Sequence, residues 1–178
     1  METLEKVATA TWTLDKAHSK IGFSITHMMV SEVEGMFKDF DVKISNANED
    51  LSNAEIEFTA NVGSIDTHNE MRDAHMKKDD FFNLEKYPTI SFKSKSFKKT
   101  EGKNYKLTGD LTFMGVTKNI ELDAKGAIGT HLGNQKTIAG FKVTGTVNRT
   151  DFNMAPTMPA IALGNEVSIV VNAELVKG

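Results

Sequence analysis

The chain has no cysteine, so no disulfide holds its fold and no thiolate can act as a nucleophile or bind zinc. It has no apolar run approaching the ~18 residues that a membrane-spanning helix needs. An excess of either charge is missing too: 21 basic residues stand against 24 acidic ones, a formal net charge of −3. That balance provides no basic footprint for a phosphate backbone, which excludes nucleic acid as an expected partner. The segment Met1 to Ala8 carries two glutamates and neither the basic start nor the apolar core of a secretory signal. The expected location is cytoplasmic, or periplasmic if the chain is a trimmed mature form.

What is present describes a soluble globular protein. With 39% hydrophobic and 25% charged residues in 178, the chain can bury one core of the size that all-β barrels use. The expected organisation is a single barrel domain over residues 11–178 after an N-terminal extension over residues 1–10.

The dominant signal is period-2 alternation, which puts every second side chain on one face of a strand. Ala54, Ile56, Phe58, Ala60 and Val62 alternate with Glu55, Glu57, Thr59 and Asn61, one face apolar and the other polar. The same pattern starts at Ile21, Leu107, Ile120, Ala139 and Val167, and in weaker form at Phe40 and Ile90. Turn signals at Gly102-Lys103-Asn104, Met114-Gly115 and Leu132-Gly133-Asn134 join several of these eight segments into an antiparallel meander. Trp12 and Leu14 extend the first strand or plug one end. Strands of about 8–12 residues favour a closed barrel over a sandwich.

Two stretches break the pattern. His68 to Phe82 has good helix formers and no alternation, which predicts a helix near Asn69–Lys77 and then a turn capped by Asp79 that carries Phe81 and Phe82. The connection from Phe152 to Gly164 holds Met154, Met158, Ile161 and Leu163, and an apolar loop of that size must cover something.

Eight strands are just wide enough for side chains to fill the interior or for one ligand to occupy it. Ala54, Ala60, Gly109, Ala124, Gly126, Ala139, Gly145 and Ala173 lie in phase with the apolar faces. They leave either a lengthwise void or a solid barrel that bends tightly, and periodicity does not choose between them. A void lined by these residues would be dry and its ligand apolar. At ~0.8 kcal/mol per buried methylene, ten carbons give about 8 kcal/mol, comparable to the ~4–15 kcal/mol that association costs. Long chains should therefore bind and short ones should not.

Four blocks carry a family resemblance. They are Trp12-x-Leu14-Asp15-x-x-His18-Ser19 through Phe23, Ile25 and His27 to Gly35 and Phe37; Ile65-x-Thr67 through Arg72-Asp73-x-His75, Asp80-Phe81-Phe82 and Tyr87-Pro88; Gly109-x-Leu111 to Gly115-Val116-Thr117-Lys118; and Asn148-Arg149-x-Asp151-Phe152. In this order the chain resembles the YceI-like family of polyisoprenoid-binding proteins from about Thr11 to Leu175. The resemblance implies an eight-stranded antiparallel lipocalin-like barrel with a short helical excursion between strands. It also implies a long-chain lipid ligand such as an isoprenoid quinone or polyprenyl compound, a homodimer, and no established catalytic residues.

Other chemistry is poorly supported by spacing. His68 and His75, seven apart on a helix, are separated by about 10.5 Å of rise and cannot share an ion. His18 and His27 differ by an odd number and face opposite sides of one strand; His131 stands alone in a turn. No Gly-x-Ser-x-Gly elbow occurs. Lys93, Lys95, Lys98 and Lys99 read as a solvated face, or more weakly as a patch for anionic membrane. Arg72 and Arg149 are expected to satisfy backbone groups at strand ends, or to meet a ligand's polar head.

The sequence therefore predicts a non-enzymatic lipid carrier with no metal and no cofactor beyond its bound lipid, in transient contact with membranes. The alternative is an enzyme or accessory factor that presents a bound apolar substrate. The expected wall is Ile21, Phe23, Ile25, Ile56, Phe58, Phe92, Leu111, Phe113, Phe141 and Val143. Phe81, Phe82, Met154, Met158 and Ile161 are expected as the lid, and His27 and Arg149 complete the predicted ligand contacts.

Overall fold

The computed structural model describes residues 10–178, so residues 1–9 of the expected extension lie outside the described residues. Among the described residues the alternating segments form β1 (Ala10–Leu14), β2 (Lys20–His27), β3 (Ser31–Phe37), β4 (Phe40–Ala47), β5 (Glu55–Asn61) and β6 (Ile65–Asp66). After helix α1 (Glu70–Met76) come β7 (Thr89–Lys99), β8 (Asn104–Phe113), β9 (Val116–Thr130), β10 (Thr137–Asn148) and β11 (Leu163–Lys177).

Every pairing is antiparallel, and the sheet closes on itself in eight positions. β1 pairs with β4 and with the end of β11, where Trp12 faces Lys177 and Leu14 faces Leu175. β2 pairs with β3 and with the earlier part of β11, where Ile21 faces Val171. β4 pairs with β5 and β3 with β6. Thus β1/β2, β3/β4 and β5/β6 are each one barrel position interrupted midway, and β7 to β11 complete the ring. Side chains cause two of these interruptions. Asp15 accepts from Ala17 N–H at 3.0 Å and Asn61 from Gly63 N–H at 2.9 Å, each opening a single 3-10 turn.

Several expectations need correction. β3 is not among the eight alternating segments, because Glu32, Glu34 and Gly35 leave only Val33 and Phe37 as clear apolar markers. The side chain missing at Gly35 is replaced by the ring of its cross-strand partner Phe23, with which a Cβ there would collide. Trp12 and Leu14 form a strand of their own, both buried. His18 lies in the 3-10 turn ahead of β2, so it does not share a strand with His27. His68 precedes the helix at φ 62°, so it does not share one with His75.

The helix itself lies where its signals put it. Asn69 caps it by accepting from Arg72 N–H at 2.9 Å, and Lys77 ends it. The following turn is closed by backbone acceptors and not by Asp79: Phe81 N–H donates to Lys78 C=O at 3.1 Å and Phe82 N–H to Met76 C=O at 2.9 Å. No helix among the described residues is long and apolar enough to cross a membrane.

Candidate ligand cavity

The barrel encloses a cavity of about 470 Å3, within the ~300–1,000 Å3 of small-molecule sites. Its lining is apolar except for His27, Arg72, His75 and Arg149. Val42, Ile44, Ile56, Phe58, Val143 and Val167 face this space and remain only half-buried although the sheet closes around them. Their uncovered surface is the wall of a void, which decides between the hollow and solid barrels.

The expected mechanism for the void is only partly right. A Cβ on Gly126 would collide with the ring of Phe141, one on Gly109 with Phe92, and one on Gly145 with Leu122. These glycines are covered by neighbouring side chains that lie along the wall instead of across the axis. Flattened side chains, not absent ones, keep the lumen open.

One end is sealed by side chains. Phe97 and Tyr105 stack at 4.8 Å between centroids, and Phe141 meets them edge-on at 5.7 and 5.2 Å. Leu51 is buried and borders the same cavity, and Tyr105 donates its hydroxyl to Asp50 C=O at 2.8 Å. Burial pushes the Tyr105 phenol up, so the donor that holds this floor stays protonated.

The other end is roofed by two loops. Phe82 packs on Phe37 at 5.8 Å and on Phe113 at 5.2 Å, and Phe113 continues to Phe152 at 5.6 Å. Ala155 N–H donates to Asp80 C=O at 3.0 Å and joins the two loops; Met28 N–H donates to Ala162 C=O at 3.0 Å and joins the β2–β3 turn to the second.

Arg149 organises that second loop. It is 1% exposed and donates from Nε to Gly164 C=O, from Nη1 to Met154 and Ala155 C=O, and from Nη2 to Met158 and Leu163 C=O, at 2.6–3.1 Å. A guanidinium has five N–H donors, and all five are taken. Arg149 touches the cavity but has nothing left for a ligand head group, so that expected role is withdrawn. Burial lowers its pKa, and the carbonyl dipoles compensate its charge in place of a carboxylate. Arg72 differs. It donates from Nε to Thr67 Oγ1 at 2.8 Å and from Nη2 to Thr67 C=O, while Nη1 has no partner among the described residues. His75 Nε2 lies 3.0 Å from Asp80 Oδ2, with its ring edge-on to Phe81.

Of the predicted contact residues, all border this cavity except Ile161, which is exposed; Ala162 and Leu163 border it instead. Sequence reasoning missed the roof residues His75, Met76 and Phe152, which have no period-2 neighbours to mark them. The lysine run lies outside, with Lys93 and Lys95 facing Glu57 and Asp110 at 3.9 and 3.5 Å. The histidines do not converge on an ion. Among the described residues the one grouping of three metal-type ligands is Asp15, His18 and Glu174, apart from the cavity, with His18 Nδ1 already 2.7 Å from Asp15 Oδ2.

Comparison with known proteins agrees with this geometry. The YceI-like domain profile matches residues 12–175. A UPF0312 protein of Staphylococcus aureus strain N315 is 36% identical over 168 residues, covering 92% of this chain and 95% of its own. The crystal structure of the YceI protein of Campylobacter jejuni superposes with a TM-score of 0.77 at 35% identity, covering 92% and 96% of the two chains. A polyisoprenoid binding domain from Saccharophagus degradans, implicated in plant cell wall breakdown, shares the fold with a TM-score of 0.69 at 14% identity, covering 95% and 99%.

Proposed function

Because the chain belongs to the YceI-like family, we propose that its barrel is a non-enzymatic carrier for one long-chain apolar amphiphile, an isoprenoid quinone, polyprenyl or fatty-acid-like molecule. The observation that carries this reading is the enclosed lumen with its aromatic floor and almost wholly apolar wall. Such a wall offers a hydrocarbon tail burial at ~25 cal/mol per Å2 and offers a polar solute nothing to bond. The tail lies toward the Phe97–Tyr105–Phe141 floor and the head group sits at the roofed end, where Arg72 retains unspent donors and His75 also borders the cavity. The S. degradans domain that shares this fold is described as polyisoprenoid-binding, which supports a chain of that class. Transport between membranes, and a homodimer as its working form, belong to the same reading.

Native mass spectrometry of gently purified protein tests the proposal. The expected result is a co-purifying lipid, or uptake of an added quinone or prenol with affinity rising with chain length. Protein that arrives empty and ignores added quinones and prenols overturns it.

A further inference from the structure

Two features of the β2–β3 turn coincide. The turn is closed by Val30 N–H donating to His27 C=O at 3.2 Å, and its central residues Met28 and Met29 have φ of 52° and 61°. Asparagine and glycine adopt this left-handed pair readily, whereas two methionines are strained in it. The β8–β9 turn does the same work with a glycine in second place, Met114-Gly115 at 52° and 75°. The strained residues are also open to solvent. Met28, Met29 and Val30 are 56, 69 and 87% exposed, and Ile161, next to the Ala162 that Met28 bonds, is 66% exposed. Turn chemistry would choose other residues here, and packing leaves more than half of each side chain uncovered.

Resting on the reading of the cavity as a lipid site, we propose that the Met28-Met29-Val30 tip, with Ile161, dips into the surface of a zwitterionic phospholipid bilayer and seats the cavity mouth there. Met28 lines the cavity as well as the tip, so apolar surface runs from the outside to the lumen and a hydrocarbon chain crosses without entering water. Charge selects the occupant. Exposed Glu32 and Glu34 follow the tip on β3, which from Ser31 to Gly35 pairs with β2 on one side and has no strand partner on the other among the described residues. A second copy docked tip to tip would bring the same carboxylates together, and an anionic bilayer would repel them; a zwitterionic surface does neither.

Flotation of the full chain with phosphatidylcholine vesicles tests this, comparing wild type with a Met29→Gly/Val30→Thr variant that installs a glycine suited to the turn, removes apolar surface from the tip and leaves the cavity-lining Met28 in place. The variant should melt at least as high as wild type, yet its vesicle-bound fraction should fall at least fivefold. Its extraction of pyrene-labelled hexadecanoic acid from those vesicles should slow by a similar factor, with uptake of the same probe from ethanol unchanged. Wild type that does not float with phosphatidylcholine, that prefers phosphatidylserine vesicles, or that matches the variant in flotation and extraction overturns the inference. So does a variant that loses only a dimer, since the occupant is then a second copy. Failure of wild type to take up ethanol-delivered probe counts against the carrier reading instead, and flotation still decides the docking.

Discussion

The two ends of this barrel are made from the same strands but weight ring packing and hydrogen bonds differently. At the floor, Phe97, Tyr105 and Phe141 pack ring on ring along the run of strands from β7 to β10, and such packing yields only when the strands that carry it separate. At the mouth the roof adds to the ring packing of Phe82, Phe37, Phe113 and Phe152 a set of hydrogen bonds to loop backbone: Ala155 to Asp80, Met28 to Ala162, and the five from the Arg149 guanidinium. Links of that kind can open singly without disturbing the sheet. The difference teaches that access belongs to the end whose closure can be released link by link, so in the proposed carrier a tail would enter there without loosening the floor.

Substitutions can break or sharpen this contrast. The largest effect should come from Arg149→Met, which strands five carbonyls, three of them in fully buried bonds; we expect a loss of about 5 kcal/mol in denaturant unfolding. Arg149→Lys should not rescue it, because an ammonium cannot span the same acceptors. Next, Phe141→Ala should cost about 3–4 kcal/mol by opening the floor, while the rate of probe entry from ethanol stays near wild type; faster entry would mean that the floor also admits ligand. Phe113→Trp should weaken binding of a long prenol about tenfold, ~1.4 kcal/mol, and change stability by less than about 1.5 kcal/mol if its ring has the lumen to grow into.

The smallest effect concerns the break between β1 and β2. The hydrogen bond that His18 Nδ1 donates to Asp15 raises the His18 pKa, helped by attraction to Asp15 and Glu174, and the same bond lowers that of Asp15. The charged pair therefore contributes fully below the ordinary histidine value of 6.5 and fades as pH rises through the higher folded value. At the acid side it is lost as pH falls through the folded Asp15 value, below 3.8. His18→Gln should lower the urea midpoint slightly at pH 5 and not at pH 9; an equal difference at both would remove the ion pair from the account.

Much of this architecture was legible because a half-buried strand writes its two faces into alternate residues. β5, with Ala54 to Val62 against Glu55 to Asn61, is the clearest case, and the wall residues followed from the same phase. β3 was hidden because Gly35 borrows its side chain from Phe23 across the sheet, a debt that no single strand records. The roof was less legible for a related reason. Phe81 and Phe82 announced a buried turn, but nothing local distinguishes Met158, half-buried at the cavity, from Ile161, exposed three residues later. Arg149 grips carbonyls up to 15 residues away, a relation visible only once the loop is folded.

The grip of Arg149 has a consequence for how such a barrel can diversify. Its five acceptors are carbonyl oxygens, which every residue possesses, so these five ties do not depend on which side chains the loop carries. Met154 and Met158 can be exchanged for smaller, larger or more polar groups while the guanidinium holds the same course. Selectivity for different molecules can therefore drift within the loop while its scaffold persists, and a library confined to these two positions is the natural place to redirect it.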